Sequence, residues 1–110
     1  MTAKLVRIGL AALTLATWVA ASASADDVIR FGAAVSLTGP LSTEAKQMKD
    51  GYDFYVKQIN QRGGISVGGK MYKVEIVYYD DASNPETAAK LTEKLFTEDK
   101  VNFLLGPYGS

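Results

Sequence analysis

Neither cysteine nor histidine occurs in the 110 residues. Without them the fold cannot lean on disulfides, the usual ligands of zinc and copper sites are gone, and so are the thiol nucleophile and the base of a Ser-His-Asp triad. No nucleophile and base pair can be assembled from what remains. The sequence therefore predicts a non-enzymatic protein with no metal and no cofactor. An excess of one charge is lacking too: twelve Lys and Arg stand against twelve Asp and Glu, which gives no hint of nucleic acid as a partner. A dinucleotide site would need a Gly-x-Gly-x-x-Gly turn after the first strand, and Thr38-Gly39-Pro40-Leu41 does not supply one.

What is present begins with a three-part N-terminus. Residues 1–7 carry Lys4 and Arg7 and no acid, residues 8–21 are almost unbroken apolar, and residues 20–25 are small. This is the layout of a signal peptide spanning residues 1–25, with Ala23-Ser24-Ala25 as the small-x-small cleavage site. The apolar run falls short of the roughly 20 residues that span a bilayer, and no cysteine near the cut could take a lipid. Because Lys4 and Arg7 leave with the signal, residues 26–110 keep ten basic and twelve acidic groups. Those 85 residues must hold themselves together by a packed core alone, which is thin for an exported domain.

The mature chain alternates strand and helix patterns. Val28–Val35 (VIRFGAAV) is apolar except at Arg30 and suits a strand buried on both faces of a parallel sheet. Residues 36–43 (SLTGPLST) read as a loop whose Ser42 and Thr43 are natural N-caps for a helix over 44–62. In that helix Ala45, Met48, Tyr52, Tyr55 and Ile59 form the apolar stripe, with Lys46, Lys49, Asp50, Asp53 and Lys57 on the other faces. Gly63-Gly64 stops it, and Gly51 inside it suggests close approach of the helix backbone to the sheet. Gly68-Gly69 marks a hairpin, followed by a second main strand over 72–79 that presents Val74, Ile76 and Tyr78 on one face and Lys73 and Glu75 on the other. Asn84 caps a second helix that opens on Pro85; Ala88, Leu91 and Leu95 are its buried stripe, and Lys90 and Lys94 face outward. A third apolar strand covers 101–105 and leads into residues 106–110 (GPYGS). The order predicts an α/β fold with a doubly wound parallel sheet in which the first strand lies between the second and third.

In such sheets ligands bind beyond the carboxyl ends of the strands, where successive connections leave in opposite directions. The crevice is expected between residues 36–43 and 106–110, whose hydroxyls and backbone N–H groups suit an anion such as a carboxylate. The same residues also read as ordinary turns. Asp80-Asp81 could attract a hard cation or serve as solvated loop carboxylates near a helix N-terminus. The tyrosines at 52, 55, 72, 78 and 79 read as core or sheet-face residues.

Taken in order, residues 28–40 (VIRFGAAVSLTGP), the 59–69 run with Asn60 and Gly63-Gly64-Ile65, Asp80-Asp81 with Pro85, and residues 101–110 (VNFLLGPYGS) resemble the type I periplasmic binding proteins of the branched-chain amino acid (Leu/Ile/Val-binding) family. The resemblance covers residues 26–110 and favours the crevice reading. It implies a periplasmic solute-binding component of an ABC importer, which captures an amino acid or related small carboxylate or amide and delivers it to an inner-membrane permease. The ligand-sensing domain of a receptor or regulator uses the same fold and is the alternative.

The family's two lobes close on the ligand. Lobes of roughly 100 to 150 residues imply that residues 26–110 are the start of the first, the second being absent. This chain alone is then expected to be marginally folded and to bind weakly or not at all. By the resemblance, Ser110 falls on the serine that holds the ligand's α-carboxylate, with Gly109 and Tyr108 beside it. The loop after the first strand often carries an aromatic residue over the ligand. Here it reads Leu41-Ser42-Thr43-Glu44, so Ser42, Thr43 and Glu44 would serve a more polar or differently shaped ligand, an amide or an aromatic acid.

Overall fold

A computed structural model describes residues 27–109; the expected signal peptide at 1–25 and Ser110 lie outside the described residues. The elements run β1 (Val28–Val35), α1 (Ser42–Gln61), β2 (Ile65–Val67), β3 (Lys70–Asp80), α2 (Pro85–Thr97) and β4 (Phe103–Leu105). The sheet order is β2-β3-β1-β4. β1 is parallel to both β3 and β4, with Ala33 opposite Tyr78 on one side and Leu105 on the other. β2 closes back on β3 as the antiparallel hairpin that Gly68-Gly69 predicts.

The two helices cover opposite faces because successive side chains of β1 point opposite ways. Ala33 and Val35 meet Ala45 of α1, and this cluster also gathers Met48, Ile76, Tyr78, Leu105 and Tyr108. On the other face Gly32 leaves room for α2. A Cβ there would stand 2.9 Å from Leu95 Cδ2 and 3.1 Å from the methyls of Val101, both buried. The fold is a doubly wound α/β unit.

Two asparagines finish the sheet where ladder partners run out. β2 ends opposite Tyr72, and there the Asn60 amide takes over: Nδ2 donates to Val74 O at 2.7 Å, and Val74 N donates to Oδ1 at 2.8 Å. At the opposite edge Asn102 bonds Arg30 through its side chain and its own N–H, extending the β4 pairing by one residue. The Asn60 side chain supplies both the donor and the acceptor that a strand would have supplied, whereas Asn102 accepts through its side-chain oxygen and donates through its backbone N–H.

Several details depart from the sequence expectation. α1 begins at Ser42 and its N-cap is Leu41, with no side-chain cap. Ser42 and Thr43 therefore lie in the first turn rather than ahead of it. Gly51 is exposed, with nothing within 4 Å of where its Cβ would be, so it makes no close approach. The apolar stripe of α1 turns toward Val56, leaving Tyr55 at the margin, 55% exposed. Lys49 and Asp53 reach Tyr78, and Lys94 folds back onto Tyr79 rather than facing outward. The cap of α2 agrees with expectation: Asn84 Oδ1 accepts from Thr87 N at 2.9 Å, and Pro85 opens the helix.

Candidate functional site

Three chain segments leave the carboxyl ends of β1, β3 and β4 side by side. Between them lies a crevice of about 230 Å³ lined by Ser36, Leu41, Asp81, Ser83, Asn84, Pro85, Ala88, Pro107, Tyr108 and Gly109. It sits at the switch point expected for this topology, since β1 is flanked by β3 on one side and β4 on the other.

The first two segments are stitched into one wall by Asp80, Asp81 and Ser83. Asp81 is 2% exposed, and its Oδ1 accepts from Ser36 Oγ at 2.7 Å and from Ser83 N at 2.8 Å. Asp80 Oδ1 accepts from the N–H groups of Leu37, Thr38 and Ala82, and its Oδ2 accepts from Thr38 Oγ1 at 2.7 Å. The Thr38 hydroxyl bond, with these N–H donors, holds the Asp80 carboxyl below its ordinary range, outweighing desolvation in the other direction. Ser83 Oγ donates to Thr38 O and accepts from Leu41 N. That last bond fixes the backbone of Leu41, the N-cap residue of α1, from another loop.

The wall is held at a conformational cost. Ala82 and Ser83 both take left-handed backbone angles, φ 54° and 60°, which residues with a Cβ adopt only where the surroundings compel it. Gly39 sits at φ 86° against them, where a Cβ would fall 2.6 Å from Ser83 Oγ. Asp81 is therefore buried rather than solvated, while Asp80 is exposed; both carboxylates are engaged by the loops they join.

Of the residues that sequence reading singled out, Tyr108 and Gly109 line the crevice. Tyr108 does so while packing on the β1–α1 core cluster. Ser42, Thr43 and Glu44 stand on the first turn of α1, outside the lining. Sequence reading missed the wall at 81–88, although Asp81, Ser83 and Asn84 all sit in the one polar loop between β3 and α2. A larger, more open cleft of about 620 Å³ runs between α2 and β4 past Phe96 and Leu104. It is almost wholly apolar, so the smaller crevice, where polar groups converge, is the better candidate for recognition.

The periplasmic binding protein family matches residues 28–110. Leu/Ile/Val-binding protein homolog 1 of Brucella abortus is 31% identical over 98 residues, covering 89% of this chain and 25% of that protein. The leucine-, isoleucine-, valine-, threonine-, and alanine-binding protein of Pseudomonas aeruginosa is 31% identical over 96 residues, covering 87% and 24%. Among solved structures, the branched-chain amino acid transporter substrate binding protein LivJ of Streptococcus pneumoniae, in complex with isoleucine, superposes with a TM-score of 0.65 at 32% identity. That superposition covers 73% of this chain and 22% of LivJ. A solute binding protein of an ABC transporter from Rhodopseudomonas palustris, in complex with 3,4-dihydroxy benzoic acid, gives 0.57 at 32% identity over 71% and 20%. The chain thus spans about a quarter of the length of the curated relatives it matches. Fold, crevice and relatives agree: the chain belongs to the periplasmic binding protein family, among the type I proteins of the branched-chain amino acid group.

Proposed function

We propose that this chain forms the crevice-bearing part of a periplasmic solute-binding component of an ABC importer. It captures an amino acid or a related small carboxylate or amide and hands it to an inner-membrane permease, doing no chemistry on it. The observation that carries this reading is the crevice at the carboxyl ends of β1, β3 and β4, walled on one side by Tyr108 and Gly109. The relatives named for Leu, Ile and Val, and the solved neighbours holding isoleucine and 3,4-dihydroxy benzoic acid, support an amino acid or an aromatic acid as the cargo class.

In this reading residues 1–25 direct export and are removed. The Tyr108–Gly109 wall, with Ser110 next in sequence, receives the ligand's carboxylate through backbone N–H groups and a hydroxyl. Ser42, Thr43 and Glu44 stand outside the lining and reach a ligand only once a second lobe closes over it. No helix among the described residues is long and apolar enough to cross a membrane, consistent with a receptor that meets its permease from the aqueous side.

The test is a thermal melt of a two-lobed protein carrying residues 26–110 as its N-terminal part, against amino acids, amides and aromatic acids. A ligand that binds only the folded state raises the melting temperature. A rise with one class, lost in Ser110→Ala, is the expected result; no rise with any of them refutes the reading.

A further inference from the structure

Leu41 stands where the two walls of the crevice meet. Its backbone belongs to the stitched wall: its N–H donates to Ser83 Oγ at 3.1 Å and its carbonyl accepts from Ala45 N at 3.1 Å. The N–H of the next residue, Ser42, goes to Gly39 O at 3.1 Å. Leu41 is therefore held from the β3–α2 loop and from the first turn of α1 together. Its side chain lines the crevice and reaches the second wall. A Cβ built on Gly109 would stand 3.0 Å from Leu41 Cδ1, inside the about 3.5 to 4.0 Å at which carbon atoms rest against one another. Chain neighbours apart, no other atom of the described residues comes within 4 Å of that point.

The second wall is seated by apolar contact. Tyr108 packs on the cluster of Ala33, Val35 and Ala45. Gly109, at φ 101°, occupies the left-handed region that favours glycine and lays its bare backbone against the Leu41 methyl. A glycine backbone is the least restricted of any, so where it stands depends on what it rests against. Here that support is a side chain whose own backbone is fixed by the opposite wall.

We infer that Leu41 is a positioning residue of this crevice: its δ-methyl, fixed through Ser83 and the start of α1, backs the Gly109 backbone and sets where the Tyr108–Gly109 wall stands. The inference rests on the reading of the crevice as the ligand site. In that reading the Tyr108–Gly109 wall receives the ligand's carboxylate through backbone N–H groups, and a displacement of about 1 Å takes such a hydrogen bond out of range. Leu41 thus acts on affinity through Gly109, and the hydroxyl of Ser83 bears on a wall it does not touch.

The experiment uses the two-lobed protein carrying residues 26–110 as its N-terminal part, isotope-labelled, with leucine, leucinamide and 3,4-dihydroxybenzoate as probes. In the ligand-free protein, Leu41→Ala is expected to lower the backbone amide order parameter of Gly109 from the rigid range, about 0.85, to below about 0.6, while that of Asp81 stays rigid. The probe that the parent protein binds is expected to bind Leu41→Ala on the order of tenfold more weakly. Leu41→Met, which refills the space with a side chain of similar volume, is expected to stay within about threefold of the parent. A Gly109 that stays rigid in Leu41→Ala overturns the inference and leaves the crevice reading standing, because Leu41 then only fills space. Loosening of Gly109 with unchanged affinity also overturns it. A parent protein that binds none of the three probes overturns the inference together with the reading beneath it. Should Leu41→Ala fail to fold, Leu41→Val, which withdraws the δ-methyl and keeps most of the volume, decides the matter on the same two readouts.

Discussion

Tyr78 and Tyr79, consecutive in β3, send their hydroxyls to opposite faces of the sheet and to the same kind of partner. Tyr78 donates to Asp53 of α1 at 2.8 Å, and Tyr79 donates to Asp99, just past α2, at 2.9 Å. A lysine from each helix lies over the corresponding ring, Lys49 at 4.5 Å and Lys94 at 4.8 Å from the centroid. Each helix is thus pinned to the same strand by a hydroxyl–carboxylate bond and a cation over the ring. Holding α2 in this way fixes the position of its N-terminal turn in the crevice wall.

Tyr78→Phe and Tyr79→Phe are each expected to cost about 1 kcal/mol, and the double variant close to the sum, because the two clamps share no partner. Urea unfolding monitored by circular dichroism measures this. Burial, followed by the bond to Asp53, raises the Tyr78 hydroxyl above its ordinary pKa of 10.0. A raised pKa means stability that is fully present below pH 10.0 and lost as pH rises through the folded-state value. The alkaline fall in stability should therefore shrink in Tyr78→Phe.

Asp80 gives the opposite sign at the acid end. Its pKa is lowered in the fold, so its contribution is present above its ordinary value of 3.8 and disappears as pH falls through the lower folded value. Thr38→Val removes the hydroxyl that does most to hold the carboxylate charged. The variant should show a smaller loss of stability on acidification below pH 3.8 than the parent, measured as the urea midpoint against pH.

Ser36→Ala removes one of the two donors to a carboxylate that is almost wholly buried. The expected loss is about 1 to 3 kcal/mol, larger than for either tyrosine, since a buried charge is left short of a partner. A loss no greater than that of an exposed serine would show that the wall is not held through Asp81.

Two glycines should respond to alanine in opposite directions. Gly39→Ala puts a Cβ at φ 86° and 2.6 Å from Ser83 Oγ, and is expected to destabilise by more than about 1 kcal/mol while loosening the crevice wall. Gly51→Ala lies on an exposed stretch of α1 with open space around it, and should stabilise by about 0.5 to 1 kcal/mol. Paired thermal melts check both.

Local patterns made much of the fold legible. The unbroken apolar run of β1, the Gly68-Gly69 hairpin and the Asn84-Pro85 helix start depend on neighbours in sequence, and the sheet order follows from how strands and helices alternate. What escaped was long-range. The N-cap residue of α1, Leu41, is held by Ser83 from 42 positions away. The burial of Asp81 depends on Ser36, 45 positions away. Lys49, Asp53 and Lys94 look like ordinary solvated charges until the tyrosines of β3 are placed beside them. The crevice was expected between two loops because the Asp80–Pro85 segment gives no local sign of facing the same end of the sheet; only the parallel register of β3 on β1 brings it there.

The most direct test of the central claim is to map, by backbone amide shifts, where an amino acid touches an isotope-labelled two-lobed protein carrying residues 26–110 as its N-terminal part. The crevice account predicts that perturbations in the presence of leucine concentrate at Asp81, Ser83, Tyr108 and Gly109. Perturbations confined to the apolar cleft around Phe96 and Leu104, with the crevice amides unmoved, would contradict it.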